Sequence, residues 1–138
     1  MPAKDVYLDA VRNALVKDGW SITADPYPIK YEEVKLFADL AGEKTISANK
    51  EGQQIVIEIK SFISRSPMRE FETALGQYLI YQTFISITHP GQKVYLAISE
   101  NVYRKFFEQI AIELILKKYQ VLLLIVNINK EQIIKWTS

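Results

Sequence analysis

The run VLLLIV, Val121 to Val126, leaves this chain few choices of fold. Uninterrupted apolar residues suit a β-strand covered on both faces, and such a strand belongs inside a sheet flanked by helices. The run is also the longest apolar stretch present and stops at Asn127. A membrane helix needs roughly eighteen such residues. With 138 residues the chain can build one domain around one real core, but not two comfortable ones.

The other elements follow from periodicity. Val6, Ala10, Val11, Ala14 and Leu15 recur at helical intervals ahead of Gly19, a natural stop. Trp20 to Thr23 reads as a short strand, and DPYP, Asp25 to Pro28, as loop. From Val34 to Leu40 one row, Leu36, Ala38 and Leu40, lies opposite another, Lys35, Phe37 and Asp39, which predicts a half-buried strand. Glu43 to Ala48 makes a further strand closed by the turn-like NKEGQ, and Ile55 to Phe62 makes the next.

Ser66 is placed to cap a helix that has Pro67 at its first position, where a missing N–H is harmless. That helix runs to about Ile87, before His89-Pro90-Gly91. It is apolar on most sides, so it is expected to be largely buried. Lys93 to Ile98 is a short strand. Val102 to Lys118 reads as an amphipathic helix with Phe106, Ile110 and Leu114 spaced by four. Val121 to Ile128 is the doubly covered strand, and Gln132 to Trp136 an edge strand. The expected fold is α/β (α+β): one domain over residues 1–138, a mixed β-sheet flanked by helices.

Charge enters where partners are considered. The 17 basic and 16 acidic side chains leave a net charge of +1, so no global field draws the chain toward nucleic acid or an anionic membrane. Any DNA contact must come from a local patch, for which Lys30, Lys35, Arg65 and Arg69 are the candidates. No cysteine is present, which removes disulfides, thiolate nucleophiles and zinc–thiolate sites together. The opening MPAKDVYLDAV is too charged for a secretory signal, so a cytoplasmic location is expected. No phosphate-cradling glycine loop, Ser-His-Asp set or HExxH helix occurs, and the single histidine, His89, sits in a turn.

The chemistry-bearing pattern lies in QQIVIEIKSF. Along this strand Val56, Glu58, Lys60 and Phe62 leave one face, and Ile55, Ile57 and Ile59 the other. Glu58 and Lys60 are therefore neighbours, roughly 6.5–7 Å apart along the strand. Either this is the solvated face of an ordinary strand, or it is a site. Asp39, on the preceding alternating stretch, could bring a second carboxylate beside Glu58. Two converging carboxylates call for a cation, and Mg²⁺ favours few carboxylates and several waters. A neighbouring lysine could then orient or deprotonate a water. Gln77 is an amide in an otherwise apolar helix. It is either a core glutamine bonded to backbone or a group reaching across the sheet toward water or phosphate. Asp5 and Asp9 lie four apart and share a face of the first helix.

Asp39, the Glu58-x-Lys60 pair and a following helix with Gln77 together resemble the PD-(D/E)xK nuclease superfamily, which has the restriction-endonuclease-like fold. The blocks AKDVYLDAVRNALVKDGW, VIEIKSF, ALGQYLIY and IIKWTS also resemble the XisH family, the fdxN-element excision controlling factor proteins of cyanobacteria, along essentially the whole chain. The superfamily likeness implies metal ligation by Asp39 and Glu58 and water or transition-state activation by Lys60. It gives Gln77 a supporting catalytic part and maps a first-helix acid to Asp9, with Asp5 second. The implied cofactor is Mg²⁺ or Mn²⁺. One departure is Ala38, where the superfamily has a proline before its first acid.

The XisH likeness implies a part in programmed DNA excision carried out by a separate site-specific recombinase. A small XisI-like protein, the recombinase and DNA are the expected partners, and a homo-oligomer is expected. Two functions follow: a divalent-metal-dependent DNA endonuclease, or a non-catalytic accessory protein on the same fold that binds DNA or a partner.

Overall fold

A computed structural model describes residues 3–36 and 43–137. It contains a six-stranded mixed sheet with helices on both faces. The elements are α1 (Ala3–Lys17), β1 (Ser21–Ala24), β2 (Ile29–Tyr31), β3 (Val34–Leu36), β4 (Glu43–Lys50), β5 (Gln53–Lys60), α2 (Pro67–Thr88), β6 (Lys93–Ser99), a short α3 (Glu100–Val102), a π-helical turn (Tyr103–Phe107), α4 (Ile110–Lys118), β7 (Leu122–Asn127) and β8 (Gln132–Trp136). The main sheet runs β1-β4-β5-β6-β7-β8. Its centre, β5-β6-β7, is parallel, while β1-β4, β4-β5 and β7-β8 are antiparallel. Among the described residues no helix is long and apolar enough to cross a membrane.

Both faces of the sheet are covered, as VLLLIV requires. Leu124 and Val126 join Ile55, Ile57 and Ile59 in a core completed by Val11, Ala14 and Leu15 of α1. Leu123 and Ile125 join Val56, Leu96 and Ile98 in a second core under Phe71, Ala74, Tyr78 and Tyr81 of α2 and Ile112 and Leu116 of α4. The start of α2 is set as its residues dictate: the Ser66 side chain accepts from the Arg69 N–H, and Pro67 opens the helix.

Two expectations are corrected. Of the stretch expected as a strand over Val34–Leu40, Val34–Leu36 is a strand and residues 37–40 lie outside the described residues. That strand pairs with Ile29–Tyr31 in a separate two-stranded ribbon rather than in the main sheet. Ile29, 1% exposed, and a Tyr31–Phe84 ring stack at 5.6 Å hold this ribbon against α2. Three residues beside a Pro-rich loop are too few to display a strand period, so β2 had no signature of its own.

The helix expected over Val102–Lys118 is also broken. The π-helical turn Tyr103–Phe107 is followed by an interruption at Glu108 and Gln109 before α4 begins. A π-turn takes more residues per turn than an α-helix, so it rotates everything after it. The row Phe106, Ile110, Leu114 is therefore not the buried one. Ile110 and Leu114 are 89% and 69% exposed, whereas Phe107, Ile112 and Leu116 are buried.

Candidate functional site

The β5 face carrying Glu58 and Lys60 is dry. Glu58 is 0% exposed and Lys60 6%, which rules out the solvated-strand reading of QQIVIEIKSF. The pleat sends both side chains to the α2 side, with Val56 and Phe62 as apolar neighbours in the same core. A stripe of small polar groups accompanies them. Thr45 of β4 lies directly opposite Glu58, and Ser47 opposite Val56. Thr45 and Ser47 are both buried. Ser47 shares a hydrogen bond of 2.7 Å with the Thr23 hydroxyl. The Thr45 hydroxyl has no hydrogen-bond partner among the described residues.

Gln77 projects from α2 onto this face, and its side-chain oxygen accepts a hydrogen bond from the Lys60 ammonium. It does reach across to the sheet, and the group it grips there is the lysine rather than a backbone atom. Removing a carboxylate and an ammonium from water costs several kcal/mol each unless they have charged or hydrogen-bonding company. Gln77 supplies it to the Lys60 ammonium, and Lys60 is the cation two residues from Glu58 on the same strand face.

Tyr78, the next residue of α2, is a further member of this region, which the sequence analysis did not single out. Its side chain is fully buried. The hydroxyl donates to the Val94 carbonyl at 2.8 Å and accepts from the Leu122 N–H at 3.1 Å, so one side chain ties α2 to β6 and β7. Burial pushes its pKa up to about 12; the Leu122 N–H opposes the rise, and the negative charge of Glu58 adds to it, followed by Tyr95. The helix expected to be largely buried is buried along one face only, and the available signal was a tyrosine on that face, whose hydroxyl needs a partner there.

The remaining candidates are dispersed. Asp39 lies outside the described residues, as does the Asp5 side chain. Asp9 is exposed and accepts from Arg12 at 3.2 Å, and the same guanidinium reaches Asp25 at 2.8 Å. This network sits on α1, which packs on the sheet face opposite Glu58. His89 is exposed at the end of α2, its ring bonded to the Thr88 hydroxyl at 2.9 Å. Among the described residues no three or more His, Cys, Asp or Glu side chains converge to hold a metal ion.

The basic candidates are all exposed. Lys30 and Lys35 are direct cross-strand partners on the β2–β3 ribbon. Like charges in that relation repel unless something anionic or acidic lies near. Arg65 and Arg69 flank the start of α2, just beyond the Glu58–Lys60 strand.

With this geometry in place, comparison with known proteins gives a consistent result. The XisH protein family matches residues 1–134. A crystal structure of an XisH family protein from Nostoc punctiforme PCC 73102 is 36% identical and superposes with a TM-score of 0.89, covering 97% of this chain and 100% of that one. A crystal structure of an fdxN element excision controlling factor protein from Anabaena variabilis is likewise 36% identical, with a TM-score of 0.89 over 97% of this chain and 99% of its own. No curated protein matches the chain.

Proposed function

This chain belongs to the XisH family, and from that premise we propose that it is an excision controlling factor acting in programmed site-specific DNA excision through a PD-(D/E)xK nuclease-type centre. Glu58, Lys60 and Gln77 form the part of that centre within the described residues, and Asp39 is its further acid. The observation that carries the proposal is the complete burial of Glu58 beside a nearly buried Lys60, on a sheet face closed over by α2. An ordinary strand has no reason to place that pair there, because burial of charge is costly and apolar residues would serve the core as well.

The donors fit a divalent ion in kind. Glu58 is a hard oxygen donor and the Thr45 hydroxyl beside it is buried. Mg²⁺ takes one or two carboxylates and keeps several waters; Glu58 and Asp39 would hold it, and Mn²⁺ would suit the same donors. When bound, the ion would act as a Lewis acid toward a phosphoryl oxygen. Lys60, kept in one orientation by Gln77, would direct an attacking water or stabilise charge building on the phosphate. DNA would approach over Lys30, Lys35, Arg65 and Arg69. A small XisI-like protein and a site-specific recombinase are the proposed partners.

The same burial favours one second reading, a non-catalytic accessory factor on this fold. A carboxylate with 0% exposure meets a phosphodiester only if the chain around it moves, and a net charge of +1 gives little general pull on DNA. A cleavage assay separates the two. Wild type, Glu58→Gln and Lys60→Ala are incubated with duplex, nicked and branched DNA in Mg²⁺ or Mn²⁺, with and without the small partner protein. Metal-dependent cutting by wild type that both variants lose supports the nuclease centre. Wild type that binds DNA or partner and never cuts supports the accessory factor.

A further inference from the structure

Ile110 and Leu114 are the two most exposed large apolar side chains among the described residues, and they stand four apart on α4, so they form one row. Single exposed apolar residues need no explanation, but a row beside an apolar groove does. A groove of about 550 Å³ runs alongside, with Phe107, Leu116 and Val121 in its wall and Glu113, Lys117 and Gln120 also lining it. Charge along the helix is polarised, with Glu113 in its first half and Lys117 and Lys118 at its end.

We infer that two copies of this chain associate about a two-fold axis beside Ile115, with α4 antiparallel to α4. In that register Glu113 faces Lys117 of the second copy, and the reciprocal pair forms by symmetry. Leu114 meets Leu114 of the second copy across the axis. Ile110 falls opposite Gln120 of the second copy, where the groove wall offers Leu116 and Val121. A parallel arrangement would instead set Glu113 against Glu113 and Lys117 against Lys117, so the charge pattern selects the antiparallel one. The apolar row also argues against a nucleic acid as occupant of this face, since that ligand is met through phosphate contacts. A helix of nine residues covers less than the roughly 800 Å² per partner of a standard interface, so the dimer is a weak one.

Sedimentation velocity over about 1–300 μM tests this, a range that brackets micromolar self-association. Wild type should pass from monomer to dimer, and Leu114→Asp should stay monomeric while keeping its circular dichroism spectrum, because residue 114 is exposed. Glu113→Lys and Lys117→Glu should each associate about tenfold more weakly. An equimolar mixture of those two should recover wild-type affinity to within about threefold, since each copy then restores the opposite sign. Glu113 also lies in the field of Lys135 of its own chain, an effect that mixing would not rescue. Wild type that remains monomeric throughout overturns the proposal, as does a dimer indifferent to Leu114→Asp or a mixture no tighter than either variant alone.

Discussion

Lys60 on β5 donates its ammonium to the side-chain oxygen of Gln77 on α2, and this hydrogen bond closes the helix over the face that carries Glu58. The pair lies 17 residues apart and joins two elements that the chain forms independently. It holds the ammonium in place while Glu58, on the same strand face, stays completely buried.

That hydrogen bond should be measurable as a coupling. Gln77→Leu is expected to lower unfolding free energy by about 1–3 kcal/mol, the range for losing a hydrogen bond to a charged group. Lys60→Met should cost more, toward about 3–5 kcal/mol, because it also removes the cation nearest to Glu58 on the strand. In a double-mutant cycle by urea denaturation the two should couple by about 0.5–3 kcal/mol. Strict additivity would show that the two side chains do not act as a unit.

Tyr78 predicts an alkaline effect. Its pKa is raised from 10.0 to about 12 in the folded chain, so folded molecules keep the phenol proton at pH values where unfolded ones have lost it. The stabilising contribution is complete below about pH 10 and disappears as pH rises through about 12. Two units correspond to roughly 2–3 kcal/mol. Tyr78→Phe should cost about 1–3 kcal/mol at neutral pH by stranding the Leu122 N–H. It should also flatten the fall of stability between pH 10 and 12, leaving the smaller slope of Tyr27 and Tyr95, which burial also raises. An unchanged slope in the variant would contradict the role given to Tyr78.

The rotated register of α4 makes a ranking testable by thermal or urea denaturation. Ile112→Ala and Leu116→Ala should each cost about 2–5 kcal/mol, as deletions from a packed core do. Ile110→Ser and Leu114→Ser, measured at dilutions where the chain is monomeric, should stay within about 0.5 kcal/mol of wild type. The reverse ranking would restore a continuous helix with Ile110 and Leu114 inward.

For DNA binding the informative quantity is salt dependence. If Lys30, Lys35, Arg65 and Arg69 neutralise phosphates, replacing each by Gln should reduce the slope of log affinity against log salt on duplex DNA. The reduction should be about 0.9 for every phosphate that its side chain no longer neutralises. Fluorescence anisotropy at several salt concentrations gives both slopes. Coincident slopes for wild type and the fourfold variant would place any DNA elsewhere.

Much of the architecture was legible because its signals are local. VLLLIV announced a strand covered on both faces, and the two cores that share Leu123 to Val126 are that cover. Ser66-Pro67 announced the start of α2, since a cap depends on residues within one turn. What escaped had no local signal or a misleading one. The β2 strand was too short to show a period. The spacing Phe106-Ile110-Leu114 was a true helical period, defeated because Phe106 lies in the π-turn and the helix is interrupted at Glu108 and Gln109 before Ile110. Among the candidate residues, Lys60 and Gln77 are hydrogen-bonded and Glu58 is buried two residues from Lys60 on the same strand, whereas Asp9 stands with Arg12 on the other face of the sheet.

By itself the sequence determined which side chains of β5 share a face, because the pleat alternates them whatever lies around the strand. It could not determine whether that face is wet. Glu-x-Lys opposite a row of isoleucines is the same pattern on a solvated strand and on one covered by a helix. Only the tertiary structure decided it. The neighbours of β5 in the sheet and the packing of α2 are long-range choices, made by burying apolar surface on Phe71, Tyr78 and Tyr81. That burial carries Gln77 over Lys60 and turns two charged residues of an amphipathic strand into a buried pair.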